Sequence, residues 1–233
     1  MKSTKLISTI FFLSLVFNIS CQKQSLLQDE TPEILEKISD NPLNIVGVKH
    51  NEIVYANMNT YKQGKMSYFI DKFAAELHKD KDMPAYTTSK SNDISKLGEL
   101  AEKYGDFNYS KSIDMLICDS IVNPKQRQYY DSIVNELDYG SYESFVARII
   151  SVNNQVMNDK SLSENEKEAV LSFTSVIYSS YNLWKEYKDT SKAKWWEIAI
   201  ADAIGAAVGA GVGGGVIGGV VLGAAASLEM SQH

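Results

Sequence analysis

Cysteine is nearly absent: the 233 residues hold two, Cys21 and Cys118. A disulfide-built scaffold is thereby excluded, and the fold must stand on a buried core. Histidine is almost as scarce, with His50, His78 and His233 alone, which leaves little for metal or triad chemistry. HExxH, paired CxxC, GxxxxGK[ST] and GxSxG are all missing, so no residue is nominated as catalytic or metal-ligating, no cofactor is expected, and an enzyme is not the expectation. Positive charge is short as well. Lys and Arg number 23 against 29 Asp and Glu, a net charge of −6, which argues against nucleic acid as a partner. Proline occurs four times, three of them at helix starts, and alternating apolar runs bounded by hairpin turns are wanting, which excludes a sheet-built domain.

What is present is helical periodicity. Thr31-Pro32 and Asn41-Pro42 read as caps followed by proline at the first helical position. The second opens a helix with Leu43, Val46, His50, Ile53 or Val54 and Ala56 along one stripe. Met66, Phe69, Ile70, Phe73 and Leu77 follow with the cleanest period. Ser91 caps a further element ending at Gly105, and Ile113, Leu116, Ile117 and Ile121 form the next stripe, with Cys118 beside it as a small core hydrophobe. Asn123-Pro124 with Gln126, Ser141, and Ser163 with Glu166 mark three more starts, the first and last as capping boxes. The fold class expected is all-α: a multi-helix, bundle-like domain over 31–190, followed by a glycine-rich hydrophobic helix or helical hairpin.

The two ends carry the strongest compositional signals. Residues 1–20 read as an export signal, with Lys2 and Lys5 before the apolar run ISTIFFLSLVF. Ile19, Ser20 and Cys21 match the end of a bacterial lipobox, although Asn18 stands where leucine is usual, so Cys21 is the expected lipidated first residue and 22–30 a polar tether. The other reading is a plain secretory signal cleaved nearby. At the far end, Ala203 to Leu228 has no charged side chain and holds nine of the fourteen glycines. Gly205, Gly209 and Gly213 form one row at helical spacing, and Gly211, Gly215, Gly219 and Gly223 a second. Such rows are smooth faces that let helices approach closely, in lipid above all. The segment 195–228 has the roughly 20 residues a bilayer span needs, and Trp195 and Trp196 precede it as interfacial aromatics do. The same composition also suits a buried hairpin turning at Gly213–Gly215.

His50 is the one polar oddity. It lies on an apolar stripe with Gly47 on the same side and Asn51 next in the chain. These three are candidates for a ligand contact in a groove or for a buried polar site. Tyr178, Tyr181 and Tyr187 lead toward the glycine segment, as groove lining or as ordinary core.

The lipobox-like start, the NPxxxxGxxHNE stretch at 41–52, the LSENEKEAVLSFTSVIYSSYNLW helix at 162–184 and the glycine zipper together resemble uncharacterised exported, lipoprotein-like helical proteins of Gram-negative bacteria with a bacteriocin-like C-terminal segment. The resemblance implies a cell-envelope location, lipid-anchored on the periplasmic or surface side. It further implies association with membrane lipid. Two readings remain. In one, the glycine zipper associates with or inserts into membranes, bacteriocin- or toxin-like, and self-associates through its glycine faces. In the other, the chain is a lipid-tethered soluble binding module, and the glycine hairpin belongs to its own core.

Overall fold

The computed structural model describes residues 41–61, 66–81, 97, 99–100, 103, 109–187 and 194–232. Among these the protein is all-α: α1 (Asn44–Asn57), α2 (Met66–Leu77), α3 (Tyr109–Cys118), α4 (Pro124–Tyr139), α5 (Tyr142–Asn158), α6 (Glu164–Glu186), α7 (Trp195–Gly209), a π-helical turn (Ala210–Gly214) and α8 (Gly215–Met230). The signal, Cys21, the tether, the Thr31-Pro32 helix start, the Ser91 cap and His233 lie outside the described residues.

The starts of α4, α5 and α6 follow from their capping residues. Asn123 accepts from the amides of Lys125 and Gln126, and Gln126 Oε1 returns a bond from the Asn123 amide at 2.9 Å. Ser163 and Glu166 close the same reciprocal pair at the head of α6, and Ser141 accepts from the Ser144 amide at α5. Each such cap satisfies backbone donors that a helix start would otherwise leave bare. The entry to α1 departs from the expected pattern. The helix begins at Asn44, and Pro42 precedes it rather than occupying its first position. Asn41 Oδ1 bonds the Leu43 amide at 2.7 Å, while its Nδ2 reaches across to the Leu171 carbonyl and Thr174 Oγ1 of α6, both at 2.9 Å. The Oδ1 bond thus ends on Leu43, and the Asn44 amide bonds the Asn41 carbonyl across a turn at Pro42 and Leu43, so the helix starts two residues later than the proline suggests.

The longest helix, α6, is buried along nearly all of its middle, from Ala169 to Tyr178. One side receives α4 and α5, where Tyr130 stacks on Phe173 with ring centroids 4.4 Å apart and Phe145 stacks on Tyr181 at 5.0 Å. The other side receives α7 and α1. Helices α7 and α8 lie against each other and are enclosed by α6, α1, α2 and α3. Their residues from Ile198 to Ala210 and from Val216 to Leu228 are buried almost without exception, within one compact unit running from Asp40 to His233. The composition shift near Lys194 therefore falls inside that unit. Cys118 also departs from expectation. Ile113 and Leu116 turn inward, but Cys118 is exposed at the last residue of α3. The chain leaves the helix there through Ser120, whose φ of 59° sends it in a new direction.

The α5–α6 connection is fastened by Asp159, which accepts from the Ser161 amide and hydroxyl and from Tyr129 Oη at 2.7 Å. The Ser161 hydroxyl and the Tyr129 phenol, with Lys125 adding a little, hold the carboxyl down to about 2 from its ordinary 3.8. A depressed carboxylate stabilises the fold above its unfolded value, and that contribution is lost as pH falls through the folded value. Asp159→Asn is thus expected to lower stability at neutral pH by an amount that shrinks below about pH 4 and vanishes near pH 2. Urea melts of both proteins across that range test this.

Candidate functional site

Helices α7 and α8 run antiparallel at a separation that side chains do not permit. A Cβ on Gly205 would lie 2.7 Å from the Leu222 carbonyl oxygen, and one on Gly209 or Gly218 would overlap the other glycine's backbone outright. The two sequence rows divide between several tasks. Gly205 and Gly209 meet α8. Gly219 faces Ala206 of α7 and Ser172 of α6, and Gly223 faces the Asp202 carbonyl and the His50 ring. Gly215 serves the turn, where its φ of 54° and ψ of −153° suit glycine alone. A Cβ on Gly211 would meet the Ala169 methyl at 3.5 Å and the Ile121 carbonyl oxygen at 3.8 Å, and Gly213 sits within the π-helical turn. Gly218 belongs to neither sequence row, yet it makes one of the tightest contacts.

One residue before the charge-free stretch stands Asp202, at zero exposure on α7. Its Oδ2 accepts from the hydroxyl of Ser180 on α6 and from that of Ser227 on α8, the latter at 2.8 Å. Trp184 Nε1 donates to Ser227 Oγ at 2.9 Å, so the serine proton is free to point at the carboxylate. From α1, His50 Nε2 stands 3.5 Å from the same Oδ2, with both side chains fully buried. The other ring nitrogen, Nδ1, lies 2.9 Å from Asn51 Oδ1, while Asn51 Nδ2 donates to the Ser179 carbonyl at 2.8 Å. Four helices thus converge on one carboxylate. A buried carboxyl is costly unless it is hydrogen-bonded; Oδ2 accepts the two hydroxyl bonds, while Oδ1 and His50 Nε2 make none among the described residues.

The order of these groups matters chemically. In a nucleophilic triad the imidazole stands between the hydroxyl and the carboxylate and takes the hydroxyl proton. Here Ser180 and Ser227 both donate directly to the carboxylate and not to the imidazole. The arrangement fastens helices together.

Gly47 explains how α1 comes near enough to take part. Its amide donates to Ser175 Oγ at 2.9 Å, and a Cβ at this position would fall on the Ser175 backbone and the Ser179 hydroxyl. Beside it, Thr174 Oγ1 donates to Asn153 Oδ1 at 2.6 Å and receives the Asn41 amide, joining α5, α6 and the approach to α1. Gly47, His50 and Asn51 thus share one helix interface. At the start of α8, Glu168 of α6 accepts the Val216 amide. Burial raises its carboxyl above the usual range, and the amide bond partly offsets this.

Trp195 and Trp196 are partly buried: Trp195 meets Tyr181 edge to face at 4.7 Å, and Lys194 Nζ lies 5.1 Å from the Trp196 ring. Tyr178 and Tyr181 are core residues. A cavity of about 230 Å³ lies away from His50, at the end of α1 and the start of α2, lined by Asn57, Thr60, Tyr61, Tyr68, Phe69, Lys72 and Phe73. Tyr61 on its wall donates to Glu229 of α8 at 2.6 Å. Among the described residues no cluster of three or more His, Cys, Asp or Glu is placed to hold a metal ion.

Sequence reasoning nominated His50, Asn51 and Gly47 but missed Asp202, Ser180, Ser227 and Trp184. The available signal was a lone carboxylate inside the apolar run IAIADAIGAA, which is costly unless it has a buried partner.

Neither family models, curated proteins nor solved structures give a match to this chain.

Alanine is the better helix former by about 1 kcal/mol, yet Gly47→Ala is expected to destabilise the protein by about 1–3 kcal/mol through overpacking against α6. Gly211→Ala, with ordinary contact distances around it, should be close to neutral. Urea denaturation of the two variants side by side tests the contrast.

Proposed function

We propose that the chain is an exported helical module of the cell envelope, tethered through Cys21, in which the glycine-rich helical hairpin 195–230 is the structural core of the resting state. One observation carries this reading. Asp202, on the hairpin itself, is bonded by side chains of α6 and α8 and faced by His50 of α1, all at zero exposure. A helix resident in a bilayer would forfeit that set of partners and expose a carboxylate to hydrocarbon. The glycine faces support it too, since Gly205, Gly209 and Gly218 are consumed within the hairpin and are not left for another copy. Ligand or partner recognition then belongs to the outer surface, where the aromatic cavity between α1 and α2 offers a concavity.

A second reading, insertion of the hairpin into membrane lipid, is favoured by a different observation. Trp195–Val212 is the one described helical stretch long and apolar enough to cross a bilayer, with mean hydropathy 1.3 over 18 residues. On that reading the fold is the storage form of a membrane-active, bacteriocin-like protein.

Flotation separates the two. The full chain carrying Cys21→Ser, which removes the lipid anchor, should stay unbound to both anionic and neutral liposomes at pH 7.5 and keep residues 195–230 protected from protease. Its Gly209→Ile derivative should lose about 10 °C or more in Tm, because an overpacked helix pair destabilises the whole unit. Flotation at neutral pH, with an unchanged Tm for the glycine variant, would overturn the core reading.

A further inference from the structure

The cavity at the end of α1 and the start of α2 owes its wall to one stretch of α2. Tyr68 and Lys72 stand four apart on that helix, and so do Phe69 and Phe73, so each pair lies one turn apart on a shared face. Phe69 and Phe73 are 5% and 7% exposed, with ring centroids 4.3 Å apart, and Tyr61 meets Phe69 edge to face at 5.6 Å. Tyr68 is the contrast, 70% exposed on the same wall. A lone exposed ring needs no explanation. An exposed ring that lines a cavity beside buried ones is a ready face for a flat apolar guest.

The polar groups decide what charge that guest carries. Lys72 Nζ lies 4.7 Å from the centre of the Phe73 ring and has no ion-pair partner among the described residues. Aromatic faces attract cations, but here a cation is already in place and would repel a second. The neighbouring donors are engaged. Thr60 Oγ1 donates to the Asn57 carbonyl at 3.3 Å, Asn57 Nδ2 to the Ile53 carbonyl at 2.7 Å, and Tyr61 Oη to Glu229 at 2.6 Å. Glu229 itself is not part of the wall. An ammonium offers three donors and no acceptor, so its match is an anion.

Size narrows the choice further. The cavity holds about 230 Å³, and one of roughly 150 Å³ accepts benzene. One ring with a short arm fits, whereas drug-sized ligands need pockets of roughly 300 Å³ or more. A peptide segment or an acyl chain is too long for it.

We propose that this cavity is a binding site for a small aromatic carboxylate, a site that deepens, and rests on, the reading of the hairpin as resting core with recognition at the outer surface. The ring of the acid lies against Tyr68 and the two phenylalanines, and its carboxylate accepts from the Lys72 ammonium.

The test is a ligand-observed NMR titration of 3-phenylpropionate, with 3-phenylpropanamide as its uncharged counterpart, into the full chain carrying Cys21→Ser at pH 7.5. The acid should saturate with a Kd of about 1 mM or tighter, within reach of a ligand this small. The amide should bind at least about threefold more weakly, as expected when an ion pair at a solvent-exposed ammonium is lost. Adding Lys72→Met, which keeps the stem without the charge, should weaken the acid by at least about threefold and leave the amide within about twofold. Tyr68→Ala should weaken both. Lys72 and Tyr68 are exposed, so both variants should keep the parent Tm. No saturation of the acid by about 10 mM overturns the site. Equal affinity for acid and amide, or acid binding untouched by Lys72→Met, overturns the carboxylate. Binding that survives Tyr68→Ala unchanged places the acid elsewhere and overturns the proposal as well. Protease protection of residues 195–230 is read on the same unliganded sample. Its loss refutes the core reading and the proposal with it, whereas full protection without binding refutes the site alone.

Discussion

Two helices touch backbone to backbone in the middle of this protein, and the rest is arranged to enclose them. Because Gly205, Gly209 and Gly218 leave no side chains between α7 and α8, the pair is narrow enough to lie within the embrace of α6, α1, α2 and α3. Glycine weakens each helix on its own by about 1 kcal/mol per residue relative to alanine. The pair is therefore a poor structure alone and a good one when surrounded, and its stability depends on the helices packed around it. Those helices, in turn, bury apolar faces against this pair.

Apolar packing of smooth, small-residue surfaces is weakly specific in register, since one small contact resembles the next. The polar contacts supply what the glycines lack. Asp202 can meet Ser180, Ser227 and His50 together in a single arrangement. A slip of one helical turn in either α7 or α8 would strand a carboxylate in an apolar interior. Gly47 with Ser175 and Asn41 with Thr174 add the same discrimination at the α1–α6 crossing.

The helical class and most starts were legible because capping residues and apolar period act locally. Asn123, Ser141 and Ser163 cap where their sequence contexts say they should. Asn41 was misread because its Oδ1 bonds the Leu43 amide and a turn at Pro42 and Leu43 intervenes before α1 begins at Asn44. Cys118 was misread because one step past a stripe decides its exposure, and a turn at Ser120 intervenes. His50 stood out as a polar residue on an apolar face, but its partner was hidden. Asp202 lies 152 positions further on, at the edge of a segment whose glycines drew attention away from it. The even four-residue rows also concealed Gly218, because the tightest contact depends on how the two helices cross and not on spacing within one.

The order of these elements along the chain bears on timing. The central pair follows every described helix that encloses it, so during synthesis the faces that α7 and α8 cover emerge before their cover does. Burial of the core waits for α8. The last helix made is thus the one that completes the core.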